Sequence, residues 1–231
     1  MNKFLKFNGH KITTTTLVAL ALIITGCQTN PLSKDSKTTN QVSTAIAASS
    51  PLNIDEKAPE FTGVDSNNTT HKLSDFKGKV VVLEWTNHQC PFVRKHYNSG
   101  NMQKLQKEAT SKGVVWLSII SSAPGKQGHV TPQKANELIQ SSSANPTAVI
   151  IDSEGTIGRL YQARTTPHMY VIDTDGVLKY MGAIDNKPSA NPADVETASN
   201  YVRAAVDSII TNKPVKKTVT QPYGCSVKYN S

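Results

Sequence analysis

The chain has 231 residues, of which 37% are hydrophobic, and carries a formal net charge of +8. This length allows one ordinary domain with appended segments and leaves no room for two full domains. The basic residues form no Arg-rich cluster interleaved with aromatic side chains, which excludes the usual signature of a nucleic-acid-binding surface.

Residues 1–26 have the pattern of an export signal. Three lysines and no acid precede a short apolar run, Leu17–Ile24, which is too brief for a membrane span of about 20 residues. Loss of this segment would lower the formal charge from +8 to +5, because it contains three lysines and no acidic residue.

Small residues precede Cys27, in the order Ile24-Thr25-Gly26-Cys27. This segment resembles the lipobox of bacterial lipoproteins, which implies that Cys27 is acylated and becomes the first mature residue. The alternative is an ordinary cleaved signal with Cys27 placed by chance. Gln28 follows the cysteine, and lipoprotein sorting rules then favour the periplasmic face of the outer membrane. The chain is thus expected to be a lipid-anchored protein of the bacterial cell envelope.

Residues 27–54 are rich in Ser, Thr, Asn and Ala and show no apolar periodicity, which predicts a flexible tether. When Cys27 is set aside, two cysteines remain, Cys90 and Cys225. An exported protein meets conditions that permit disulfides, and two cysteines are the smallest number that can form one.

Residues 55–212 show alternating strand and helix patterns, with ordered structure expected from about Lys57. Short apolar runs predict buried strands, and a 3.6-residue apolar period predicts the last helix. Residues 213–231 form a tail with no predicted element. This order predicts an α/β sandwich. The predicted elements are a hairpin of Phe61–Val64 and Thr70–Leu73, a strand Val80–Trp85, a helical segment from Cys90 to about Thr110, a strand Val114–Ile120, a helix Thr131–Gln140, a strand Thr147–Ile151, a helical turn Gly158–Gln162, strands Met169–Ile172 and Val177–Tyr180, and a helix Asp194–Ile210.

Three short segments appear in a characteristic order: Lys57-Ala58-Pro59-Glu60-Phe61, then Trp85 with Cys90-Pro91, then Thr165-Thr166-Pro167. In this order and spacing the chain resembles the thioredoxin superfamily, and most closely its exported redoxin branch of AhpC/TSA peroxiredoxin-like proteins and thiol-disulfide oxidoreductases. The resemblance covers about residues 55–212. It implies a thioredoxin-like three-layer sandwich with a central mixed β-sheet.

The chain departs from this family's patterns at three positions. Val93 stands where a thioredoxin-type Cys-x-x-Cys site has its second cysteine. Asn87 stands three residues before Cys90, where peroxiredoxins typically have Thr. Arg164 is near, but not at, the place of the peroxiredoxin Arg, which falls at about Pro167.

Cys90 is the candidate catalytic nucleophile. It lies where a helix is predicted to begin, and free backbone N–H groups together with the helix dipole favour a thiolate there. His88 and Arg94 are close in sequence, and Arg94 lies one helical turn away, so that its side chain could reach back. These features predict a lowered thiol pKa. The alternative is that Cys90 is a small buried apolar residue.

The resemblance implies that Pro167 is a cis-proline packed against the active cysteine, with nearby backbone groups that pair with a substrate strand. The alternative is an ordinary trans proline that opens a strand. Cys225 is a possible resolving cysteine for oxidised Cys90, because an extended tail could span on the order of 40 Å. It could equally be a surface cysteine or a structural anchor.

The first functional hypothesis is a thiol-based oxidoreductase without a cofactor. Its partners would be a peroxide or disulfide substrate and an external thioredoxin-like thiol reductant, and peroxide reduction leads thiol-disulfide exchange by a small margin. The second is a non-catalytic binding module that captures copper, another metal or a protein partner. Histidines near Cys90 could supply ligands, but Arg94 stands where the copper-delivery proteins have their second cysteine and cannot ligate a metal. The candidate histidines are His88, His96, His129 and His168.

Overall fold

The computed structural model describes residues 52–230. The predicted export signal, Cys27 and the tether up to residue 51 lie outside the described residues. Within residues 52–230, no helix is long and apolar enough to cross a membrane.

A five-stranded mixed sheet forms the centre of the domain, in the order β5-β4-β3-β7-β8. Strands β3, β4 and β5 are parallel, whereas β7 runs antiparallel to both β3 and β8. Strands β1 and β2 form the predicted hairpin outside this sheet. The strands are β1 Thr62–Val64, β2 Thr70–Lys72, β3 Val81–Trp85, β4 Val115–Ile120, β5 Ala148–Ile151, β6 Thr165–Thr166, β7 His168–Ile172, β8 Leu178–Gly182 and β9 Cys225–Ser226.

Both faces of the sheet are covered, which explains why its central strands are almost entirely apolar. Val81, Leu83 and Trp85 point to one face, where they pack with Phe61, Tyr161 and other residues of the hairpin side. Val80 and Val82 point to the other face, against helices α2 and α5. The three-layer α/β sandwich is therefore confirmed. The helices are α1 Pro91–Asn98, α2 Asn101–Ser111, α3 Pro132–Ser142, α4 Thr156–Leu160 and α5 Tyr201–Ile210, with 3-10 turns at Leu73–Phe76 and Pro192–Val195.

Two predicted helices are shorter than expected. The segment from Cys90 to about Thr110 is two helices, because Gly100 adopts a φ of 73° and interrupts the helical backbone between α1 and α2. The predicted helix Asp194–Ile210 begins only at Tyr201, where the Asn200 side chain accepts a hydrogen bond from the Arg203 N–H as an N-cap.

The ends of the domain also differ from the prediction. Leu52 and Ile54 already pack against the core, ahead of the predicted boundary at residue 55. The tail was predicted to contain no element, but Cys225–Ser226 forms strand β9 and pairs with β6. The tail has no apolar run that would predict a strand. Strand β9 forms through pairing with residues that are distant in the sequence.

A buried glutamate ties helix α1 to the sheet. Glu84 on β3 is fully buried, and its carboxylate accepts hydrogen bonds from the Tyr97 hydroxyl at 2.9 Å, the Trp116 indole at 2.8 Å and the Ser118 hydroxyl at 2.9 Å. Gln106 on α2 donates a fourth at 3.1 Å. A buried carboxylate is stable only when its oxygens are paired in this way, so the network fixes the position of the helix that carries Cys90.

Candidate active site

Cys90 is the N-cap residue of α1, with Pro91 at the first helical position. The loop before it is held by Asn87, whose carbonyl accepts from the Cys90 N–H at 2.9 Å and whose side-chain oxygen accepts from the Gln89 N–H at 2.9 Å. The Asn87 amide donates to the Gln127 carbonyl at 3.2 Å. Asn87, which stands at the position of the peroxiredoxin Thr, thus uses its hydrogen-bonding groups to stabilise the loop.

The peptide bond between Thr166 and Pro167 is cis, the isomer that the family resemblance implies. The Cys90 sulfur lies 3.1 Å from the Thr166 carbonyl oxygen. Strand β6 therefore brings the proline loop directly against the cysteine at the start of α1.

The C-terminal tail completes the site. Thr166 pairs with Cys225, and Thr165 with Ser226, in an antiparallel ladder between β6 and β9. This register places the Sγ atoms of Cys90 and Cys225 2.7 Å apart, although the residues are separated by 135 positions in the sequence. Both cysteines are free thiols. The structure thus brings the two predicted redox residues together.

The two thiols have different acidities. Burial alone would raise the pKa of Cys90, but hydrogen bonds from the Cys225 thiol and the Val93 N–H outweigh it and hold this pKa below its ordinary value. Burial and the neighbouring Cys90 sulfur raise the pKa of Cys225 to about 11. Cys90 therefore has the lower pKa of the two, and it loses its proton before Cys225 as the pH rises.

This difference can be measured in protein labelled with ¹³C at the cysteine β-carbon, with Cys27 replaced by Ser. We expect the Cys90 resonance to titrate below the ordinary thiol pKa of about 8.5, and the Cys225 resonance well above it. In Cys225→Ala the Cys90 pKa should rise, because the thiolate loses a hydrogen-bond donor. A Cys90 pKa that does not change in Cys225→Ala would contradict this assignment.

The predicted contributions of His88 and Arg94 are not found at the cysteine. Among the described residues, neither side chain is hydrogen-bonded to Cys90. Both line an apolar cavity of about 220 Å³ between α1 and α3, together with Val93 and Leu138. Hydrogen bonds from the Cys225 thiol and the Val93 N–H lower the pKa of Cys90, in place of the basic residues that the sequence suggested.

The four candidate histidines do not converge on Cys90. His88 lines the cavity next to α3, and His129 bonds to the Ser122 carbonyl. His96 contacts Tyr223, and His168 lies beside the Tyr170 hydroxyl at 3.0 Å. In the part of the chain that the structure describes, no group of three or more His, Cys, Asp or Glu side chains is arranged to hold a metal ion.

Sequence reasoning missed Tyr223 and Gly224, which precede Cys225 directly. Their importance depends on contacts with residues that are far away in the sequence. The sequence shows that a tyrosine and a glycine precede Cys225, but it does not identify the residues that they contact.

The family model described as AhpC/TSA family matches residues 54–181, which is more than half of the chain. No curated protein matches. This family match and the paired thiols support thiol-based redox chemistry in general.

Solved structures with the same fold include two proteins without an assigned function. A hypothetical protein from Sinorhizobium meliloti is 20% identical, with a TM-score of 0.66 over 79% of this chain and 97% of that one. An uncharacterized conserved protein from Geobacillus kaustophilus is 22% identical, with a TM-score of 0.65 over 78% and 93%.

A third solved structure is that of a putative protein disulfide isomerase from Bacteroides thetaiotaomicron. It is 17% identical, with a TM-score of 0.52, and covers 70% of this chain and 92% of that one. At these identities the solved structures show a shared thioredoxin-like fold, whereas the family model matches the sequence itself. The chain belongs to the AhpC/TSA family.

Proposed function

We propose that this protein is a thiol-dependent peroxide reductase in which Cys90 is the nucleophile and Cys225 the resolving cysteine. The single observation that carries the proposal is the contact of the two sulfurs at 2.7 Å, made by a tail strand that pairs with the loop before Pro167. A surface cysteine or a simple tail anchor would not need to lie against the buried residue at the helix N-terminus.

The reaction proceeds in three steps. The Cys90 thiolate attacks one peroxide oxygen, so that an S–O bond forms, the O–O bond breaks and the leaving oxygen departs as water or an alcohol after taking up a proton. The Cys225 sulfur then attacks the sulfur of the Cys90 sulfenic acid, an S–S bond forms and water leaves. An external dithiol reduces this disulfide and becomes a disulfide itself, which restores both thiols.

The acidities of the two cysteines support this division of roles. A thiolate is the attacking form of cysteine, and the lowered pKa of Cys90 makes it the more easily ionised of the two thiols. The raised pKa of Cys225 keeps a proton on the resolving thiol until Cys90 has been oxidised. Once that negative charge is lost, the main cause of the raised pKa apart from burial is gone, and Cys225 becomes easier to ionise.

Thiol-disulfide exchange is the second candidate, and the pairing of β9 with β6 favours it. The Thr166 backbone pairs with the tail strand that carries Cys225, in the way that it would pair with a substrate strand that carries a cysteine. Peroxide reduction leads because helix α1 has no second cysteine, Val93 being in its place, and a sulfenic acid forms without an adjacent thiol.

The two activities can be distinguished by measuring turnover with the same reductant and each of two oxidants. The protein is supplied with a thioredoxin-like reductase system and either hydrogen peroxide or a disulfide-bonded peptide, and reductant consumption is followed. We expect sustained consumption with peroxide that exceeds consumption with the peptide. Turnover with the peptide alone would assign thiol-disulfide exchange, and no turnover with either oxidant would refute the proposed enzyme.

A further inference from the structure

The tail that carries Cys225 is fastened to the domain on both sides of the cysteine. Before it, Thr218 and Thr220 hydrogen-bond to Met181 of β8. After it, the Tyr229 hydroxyl donates to the Ala163 carbonyl at 2.8 Å. These contacts set the path of the tail, but they lie several residues away from the sulfur.

Besides the backbone pairing of β9 with β6, the nearest side-chain anchor is Tyr223, two residues before Cys225. Its hydroxyl donates to the Asp185 carboxylate, and the Lys95 ammonium donates to the same hydroxyl at 3.4 Å. The His96 ring nitrogen lies 3.3 Å from this oxygen. The side chains of Lys95, His96 and Asp185 are at most 1% exposed. The hydroxyl of a tail residue thus joins a buried charged cluster of the domain.

This cluster is connected to the active cysteine through one helix. Lys95 and His96 belong to α1, and Cys90 is the N-cap of that helix. The Tyr223 ring also packs edge-on against Phe92 of α1, with ring centroids 5.9 Å apart. Helix α1 therefore positions Cys90 directly, and it positions Cys225 through its contacts with Tyr223.

Gly224 lies between Tyr223 and Cys225, where the tail passes close to the Thr166 carbonyl. Its φ is 140°, and a β-carbon built at this position would lie 2.1 Å from the Thr166 carbonyl oxygen. Only glycine allows the tail to pass so close to this carbonyl. Two features thus set the position of Cys225: the anchored side chain of Tyr223, and the close passage along Thr166 that Gly224 allows.

We propose that Tyr223 is a positioning residue that holds Cys225 within bonding reach of oxidised Cys90 by fastening the tail to the Asp185–Lys95–His96 cluster. This inference rests on the proposed function, because it assigns Tyr223 to the resolving step. The Tyr223 hydroxyl is hydrogen-bonded to this cluster and to neither sulfur, so its removal should slow resolution more than it slows the oxidation of Cys90.

The test follows one oxidation event in the full-length protein and in Tyr223→Phe. Reduced protein receives one equivalent of hydrogen peroxide in the presence of a sulfenic-acid trap, and mass spectrometry quantifies trapped Cys90 and the Cys90–Cys225 disulfide over time. In the variant we expect disulfide formation to slow by about tenfold or more, since a hydrogen bond to a charged group is lost. Trapped sulfenic acid should increase relative to the disulfide.

Tyr201→Phe is the matched control. Within residues 52–230 the Tyr201 hydroxyl makes no hydrogen bond to the tail, and phenylalanine keeps the ring that contacts Lys217, so this variant should behave like the parent. Gly224→Ala keeps the hydroxyl of Tyr223 but displaces the tail from Thr166, and should give the same excess of trapped Cys90. Disulfide formation at the parent rate in Tyr223→Phe would overturn the inference. A parent protein that forms neither product would instead refute the proposed function, and the role of Tyr223 with it.

Discussion

Replacement of Cys90 by Ser is expected to lower peroxide turnover by at least about 1,000-fold, because a serine hydroxyl is not ionised near neutral pH and cannot form a sulfenic acid. The side chain is fully buried and the substitution nearly preserves its volume, so the fold should persist. The measurement is reductant consumption at saturating peroxide, with the thermal unfolding midpoint as the check on folding. A folded Cys90→Ser protein that retains a tenth of the parent activity would show that another group carries out the chemistry.

Replacement of Cys225 by Ser is expected to separate the first step from the second. Cys90 should still be oxidised, but its sulfenic acid should accumulate, because the attacking thiol no longer lies beside it. Turnover with a protein dithiol should fall by at least about 100-fold, since an intramolecular step is replaced by an encounter between two proteins.

The Cys225→Ser experiment uses the same sulfenic-acid trap and adds a small thiol as its control. A small thiol reaches the oxidised cysteine directly and should restore part of the turnover, whereas it should not help Cys90→Ser. If Cys225→Ser turned over at the parent rate with a protein dithiol, Cys225 would be a structural anchor and not a resolving residue.

The sequence predicted the layers of the fold because buried strands carry a local signal. Apart from Glu84 and Ser118, the residues of Val80–Trp85 and Val114–Ile120 are apolar, and both segments lie at the covered centre of the sheet. Cys90 was likewise recognisable from its place before Pro91, at the junction of a strand and a helix. Such features depend on neighbours in the chain, so they can be recognised without the structure.

The surroundings of the cysteine could not be predicted in this way. Arg94 is four positions from Cys90, but its side chain lines the cavity towards α3, whereas Val93 contributes its backbone N–H. Cys225 reaches the site through two ladder pairs with β6, a register that only the folded chain defines. The helix break at Gly100 also required the observed φ of 73°, because glycine is tolerated within some helices.

The family match and the fold support thiol chemistry, whereas the choice of oxidant depends on the site. The buried Asn87 occupies the position of the peroxiredoxin Thr and is engaged in loop hydrogen bonds. Any group that polarises the peroxide must therefore come from elsewhere in the site. The Thr166 side chain is buried beside Cys90, where a hydrogen bond from it contributes to the lowered pKa of that cysteine.

The proposed reaction depends on the direct contact between the buried Cys90 sulfur and the Cys225 sulfur of the tail. Peptide mapping by mass spectrometry, under non-reducing conditions and after treatment with substoichiometric hydrogen peroxide, tests it most directly. We predict a single cross-linked pair of peptides that contains Cys90 and Cys225, lacks two hydrogens and disappears on reduction. Recovery of both peptides unlinked, with Cys90 still a free thiol while peroxide is consumed, would contradict the account.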